Sequence, residues 1–226
     1  MSIAYLLGKG SGKALQANPN VPLLMVLSIL PDIDIIYDLL FNTEVHRGPT
    51  HSILFAVLLF APIFLRYRKR AVPYFLALIS HSLLGDFFIG GQLQLFWPFS
   101  DNSYGVTQIG SYDLSIDSTA NIVLEVTLFV AAMVTLYKTM DWKIFIGSDK
   151  TNLVLVIPII TVLLPSTIGY PFTTPLIFSQ PTLAVAHIIY LILFIIAVWK
   201  TLNNLQFKVQ TKDAKTYQKL DDGPTT

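Results

Sequence analysis

Long apolar runs alternate with short polar breaks along this chain, and the run lengths predict helices that cross a membrane. The apolar segments cover residues 21–41, 50–65, 71–90, 119–138, 152–170 and 182–200. Proline falls inside the first at Pro31 and inside the fifth at Pro158 and Pro165. Each proline removes a helical hydrogen bond and frees a carbonyl that lipid cannot satisfy, so those helices should break or kink where protein or water lies alongside. The pattern predicts an all-α fold, a polytopic membrane helical bundle of about six transmembrane segments with Pro-broken helices. Residues 1–20, carrying Gly8, Gly10, Gly12, Lys9, Lys13 and Pro19, read as an N-terminal surface segment. Residues 21–200 form the membrane-embedded domain, and 201–226 a polar, cytoplasmic, partly disordered tail.

Composition agrees with the pattern. Of 226 residues, 53% are hydrophobic and 13% charged, with a mean hydropathy of +0.60. A soluble domain carries roughly 25% charged residues. The net charge of +1 gives no basis for binding nucleic acid. With no cysteine, disulfides, thiolate ligands and cysteine nucleophiles are excluded. The start of the chain is too polar for a signal peptide, and no small-residue cleavage site follows, so the first apolar run is expected to be retained.

Charge placement predicts the topology. With six spans and both termini inside, all 15 Lys and Arg except Arg47 fall in cytoplasmic segments, as the positive-inside rule requires. In that frame Asp32 and Asp34 lie roughly 16–20 Å above the inner surface, and His81, Asp86, Glu125 and His187 also fall in the outer half. An ionisable group at membrane depth needs a partner, a cavity or a metal. Their shared depth predicts one pocket opening toward the extracytoplasmic side.

Two strings carry the chemistry: Leu30-Pro31-Asp32-Ile33-Asp34, and His46-Arg47-Gly48-Pro49-Thr50-His51-Ser52. Carboxylates and imidazoles together, without cysteine, suit Zn²⁺ best, and also Mn²⁺ or Fe²⁺. Asp32 and Asp34 stand about 200° apart on a regular helix and reach one site only if it breaks, which Pro31 provides. His46 and His51 alone read as loop histidines near the headgroups; His81 in a third segment gives them a common purpose. His81 and Asp86 are about 140° apart on a regular helix, and converge only if the turn at Gly85 loosens, for instance through a π-bulge. Arg47 suits either a substrate phosphate or carboxylate, or a salt bridge to Glu44 or Asp32. Glu125 and His187 read as general base and supporting ligand, or as structural hydrogen-bonding partners. Trp97 and Tyr170 read as interfacial anchors.

Taken in order, Leu-Pro-Asp-Ile-Asp, His-Arg-Gly-x-Thr-His-Ser, Ser-His-(x)-Leu-Leu-Gly-Asp and a Trp-Pro, over about residues 21–100, resemble the YdjM-like family of membrane-bound metal-dependent hydrolases. The resemblance implies metal-site roles for Asp32, Asp34, His46, His51, His81 and Asp86. Two positions depart from the family pattern: Tyr5 stands where a histidine is common, and Ser82 lengthens the His–Asp spacing from four to five.

These readings together predict a metal-dependent hydrolase with one or two divalent ions, phosphoester hydrolysis being favoured. Asp34, Arg47 and Glu125 are its expected catalytic residues, and a lipid or lipid-linked phosphate at the outer membrane face its expected substrate. A transporter using the same carboxylates would place ionisable groups on both sides of the midplane and often repeat a half, and neither is visible. A catalytically inactive membrane scaffold is the remaining alternative.

Overall fold

Polar caps and prolines divide the apolar chain into short helices before the longer ones begin. The computed structural model describes residues 1–115, 118–169 and 174–221. Helix α1 (Ser2–Ala14) is followed by α2 (Val21–Leu27), whose first turn is capped by the Asn20 side chain accepting from the Leu23 N–H. A 3₁₀ turn over Pro31–Ile33 leads into α3 (Asp34–Phe41), and a second over Pro49–His51 precedes α4 (Ile53–Tyr67). Helix α5 (Val72–Ser80) continues as a π-helix over His81–Gly90. The polar stretch after it carries the two-residue antiparallel pair β1 (Gln108–Ile109) and β2 (Tyr112–Asp113). Then come α6 (Thr119–Lys138), α7 (Trp142–Ile146), α8 (Val156–Pro158), α9 (Leu164–Ile168), α10 (Leu176–Ser179) and the long α11 (Pro181–Asp221).

Among the described residues, four stretches are long and apolar enough to cross a membrane: Ile53–Phe88, Thr119–Lys138, Lys150–Ile168 and Pro181–Lys208. The first is not one straight helix. Arg68 has a φ of +49°, and the Phe60 and Phe75 rings lie 4.7 Å apart. Fifteen residues of straight helix would separate them by about 22 Å, so α4 and α5 are antiparallel arms of a hairpin with the basic run 66–70 at its tip. This matches the two apolar segments expected there.

The expected first span, 21–41, is a broken one: regular helix stops at Leu27 and resumes only at Asp34. The fifth is broken as its prolines require, with a π segment over Ile159–Leu163 between Pro158 and Pro165. Tyr170 and residues 222–226 lie outside the described residues.

Helix α1 departs from its expected place at the surface. Ala4, Tyr5, Gly8 and Gly12 are buried, and the helix packs against α5, α6 and α2. A Cβ on Gly8 would sit 2.5 Å from Leu24 Cδ1, and one on Gly12 2.7 Å from Pro19 Cδ. Gly8 therefore lets α1 approach α2 closely, as in helix packing within membranes, and Gly12 lets the following turn fold back against α1. Tyr5, Val21, Met25, Phe145, Leu155 and Phe194 lie in the main core.

Polar contacts gather one end of the bundle: Lys9 Nζ to Asp141 Oδ2 (2.9 Å), Asn20 Nδ2 to Thr151 Oγ1 (3.1 Å) and Lys200 Nζ to the Ile146 carbonyl (3.1 Å). Asp149 lies at this end too, its carboxyl held below the usual range by the backbone N–H and hydroxyl of Thr151. The loops bearing His46, His51 and Gln92 lie at the other.

Candidate metal centre

Four elements converge on one ring, that of His51, which is fully buried. Asp32 on the 3₁₀ turn places Oδ1 3.4 Å from His51 Nε2, and Asp34 at the start of α3 places Oδ2 3.3 Å from His51 Nδ1. The carboxylates thus remain on different faces, as their spacing dictates, and clasp the two nitrogens of one imidazole. The break after α2 makes room for that ring between them.

The π-helix supplies the rest. Hydrogen bonding at i to i+5 brings residues five apart onto one face, and His81 Nε2 lies 3.1 Å from Asp86 Oδ2. The loosened turn expected at Gly85 is present, and it aligns a pair that a regular helix would splay. His81 Nε2 also lies 3.0 Å from Asp32 Oδ1, and His51 Nε2 lies 3.2 Å from Asp86 Oδ2.

Each Nε2 atom therefore stands 3.0–3.4 Å from one oxygen of Asp32 and one of Asp86. Ligands about 2.0–2.1 Å from a tetrahedral ion are spaced by about 3.3 Å. His51 Nε2, His81 Nε2 and Asp86 Oδ2 are buried and have no hydrogen-bond partner, although such groups are normally satisfied. The donor set fits a divalent ion. The ligand atoms of Asp32, His51 and His81 form one group able to hold a metal, and those of Asp34, His46 and His51 form another.

The second group differs from the first, because Asp34 is already committed. Its Oδ1 lies 2.9 Å from His46 Nδ1; its Oδ2 accepts from the Thr50 hydroxyl at 2.5 Å and faces His51 Nδ1. Thr50 Oγ1 lies 3.1 Å from the same nitrogen. With both oxygens engaged, Asp34 stands behind the Nδ1 side of His51, where it would fix the tautomer and leave Nε2 facing any ion held by the first group. Thr50 was not anticipated from the sequence, though its place beside His51 was the signal.

Asp38 shapes the loop carrying His46. Its oxygens accept from the Thr43 hydroxyl (2.8 Å), the Val45 N–H (2.9 Å) and the His46 N–H (3.0 Å). Arg47 has a φ of +67°, and its Nη2 approaches Asp86 Oδ1 at 3.8 Å, while its Nε is buried without a partner. Its salt-bridge neighbour is thus Asp86, in place of Glu44 or Asp32.

A family model described as YdjM inner membrane protein matches residues 1–164. The chain belongs to that family. No curated protein and no solved structure matches it. Membership in the YdjM family and the apolar helices establish a membrane protein. The matched region contains all six side chains of the cluster.

Neither of the two remaining sequence candidates forms an ion pair with it. Glu125 makes no ion pair with the six; its electrostatic neighbours are the Met1 amino group and the Tyr190 hydroxyl. His187 Nε2 lies 3.1 Å from the Leu163 carbonyl in the broken fifth segment, the structural role set against the catalytic one.

Tyr5, the departure from the YdjM-like pattern, belongs to another polar knot. Its hydroxyl donates to Asp141 Oδ2 (2.8 Å) and meets Thr139 Oγ1 (3.2 Å). Tyr5→Phe is therefore expected to leave metal content unchanged and to lower stability by about 1 kcal/mol. Metal analysis and thermal unfolding in detergent check both halves.

Proposed function

We propose that this YdjM-family protein is a membrane-embedded, metal-dependent phosphoester hydrolase acting on a lipid or lipid-linked phosphate at the extracytoplasmic face. The observation that carries the reading is the convergence of Asp32, His51, His81 and Asp86, with His51 Nε2, His81 Nε2 and Asp86 Oδ2 buried and without a hydrogen bond. These four would hold one ion, and Zn²⁺ suits the two imidazoles and two carboxylates best. A divalent ion there supplies Lewis-acid polarisation of the phosphoester and acidifies a water toward neutrality.

The chain's own residues do the rest. Asp34 holds His51 in one tautomer and orients His46 through Nδ1. The Nε2 edge of His46, which borders a polar pocket, is then free to accept a proton from water and return it to the leaving alcohol. His46, rather than Glu125, which forms no ion pair with the cluster, takes the role of general base. Arg47 offers its unpartnered Nε–H to a phosphate oxygen. The basic end of the bundle, with Lys9, Lys200 and the 66–70 run, supports a cytoplasmic placement for that end and an outward opening for the site.

The test is turnover of a fluorescent phosphatidyl phosphomonoester and a phosphodiester by the full chain in nanodiscs. Chelation should abolish release of product and stoichiometric Zn²⁺ should restore it. Turnover unaffected by chelator, or properly folded protein without a bound metal, refutes the reading.

A further inference from the structure

Beside the cluster lies a cavity of about 240 Å³, bounded on one wall by His46 and Arg47 and on the others by Glu44, Gln92, Gln94 and Ser103. It is smaller than the roughly 300–1,000 Å³ of sites for whole drug-sized ligands, so it suits a headgroup rather than a complete lipid. The two loops that form it are joined by the Gln94 N–H donating to the Arg47 carbonyl at 3.0 Å. Arg47 therefore stands at the junction, its guanidinium directed toward Asp86 and its backbone held by the facing loop.

The side chains of Glu44, Gln92, Gln94 and Ser103 make no hydrogen bond to any described residue. Together they offer a carboxylate acceptor, two amides that both donate and accept, and a hydroxyl. That set matches neighbouring hydroxyl groups, each of which donates once and accepts twice. His46 contributes the one aromatic ring among the lining residues, and no Phe, Tyr or Trp joins it, so the cavity has no aromatic cage for a quaternary ammonium.

We propose that this cavity is the headgroup subsite and selects a phosphoester of a polyhydroxylated alcohol, a glycerol or sugar headgroup, over one bearing a quaternary ammonium. The proposal rests on the hydrolase reading for its phosphate position and adds the identity of the alcohol. In the bound substrate the phosphoryl group lies between Arg47 and the metal ligands, and the polyol extends into the cavity past His46.

Phosphonates resist hydrolysis and report binding alone. Isothermal titration of the purified full chain in nanodiscs would compare 3,4-dihydroxybutylphosphonate, 2-(trimethylammonio)ethylphosphonate and methylphosphonate. The dihydroxy compound is expected to bind about tenfold or more tightly than the other two, since a site built to bond hydroxyls rejects ligands lacking them. Gln92→Ala with Gln94→Ala should erase that preference and leave methylphosphonate affinity within about twofold. Arg47→Met should weaken all three alike.

A tighter trimethylammonioethyl compound, or a preference untouched by the glutamine changes, overturns the subsite. Equal metal content and melting temperature in the variants excludes misfolding as a cause. Chelator-sensitive turnover without a polyol preference would remove this proposal alone. A polyol preference without turnover would remove the hydrolase reading and keep the subsite.

Discussion

Replacing His51 by Asn is expected to strip the protein of its metal, lowering affinity by a factor of about 100 or more, whereas Asp34→Asn should lower it by about 10–100-fold and leave a measurable site. The difference follows from what each group does. His51 presents Nε2 to Asp32 and Asp86 and Nδ1 to Asp34, so its loss would remove one of the proposed ligands and leave three carboxylates without the imidazole between them. Such groups without their partner cost stability too, which should appear as a lower melting temperature. Asp34 has both oxygens occupied by His46, Thr50 and His51, so its amide would keep the shape and disturb only the tautomer behind the ligand. Metal analysis by plasma emission on both variants, with a competing chromophoric chelator to rank affinities, measures the separation. Equal and complete loss in Asp34→Asn would make Asp34 a ligand and transfer the ion to the Asp34–His46–His51 group.

How much of this was legible depended on whether a residue's role was set locally. Pro31 announced a break, and the break is there; the His81–Asp86 spacing demanded a loosened turn, and a π-helix provides it. Those inferences rest on helix geometry alone. The division of labour between Asp32 and Asp34 was not readable, because it depends on a ring inserted from a separate loop. Glu125 and His187 share the depth expected for the cluster yet form no ion pair with it, and depth carries no azimuth. Helix α1 was misplaced because Lys and Gly gave it a polar look; the Ala4, Gly8, Gly12 spacing was the signal for close packing. Gln92, Gln94 and Ser103 come from a stretch without periodicity, and only their folding against Arg47 gives them a shared cavity.

Deleting Ser82 is expected to preserve the metal, while deleting Leu76 from the regular part of α5 abolishes it. The π-helix begins at His81 and carries one residue more per hydrogen-bonded turn than an α-helix. Removing Ser82 returns His81 and Asp86 to a spacing of four, where a regular helix again places both on one face. The ligands would then meet by ordinary geometry, at the spacing the YdjM-like pattern carries, and the segment would lose its π character. Ser82 is buried but makes no side-chain hydrogen bond to a described residue, so little else depends on it. Leu76 lies before His81, and its loss rotates the whole ligand-bearing segment by about 100° relative to the α1 packing face. That turns His81 and Asp86 away from His51 together, a change no local relaxation restores. Metal content above half of wild type in the Ser82 deletion, against less than about a tenth for the Leu76 deletion, is the expected contrast. Metal lost equally from both would show that the ten-residue π segment sets the ligand positions as a unit, with Ser82 as an essential part of it.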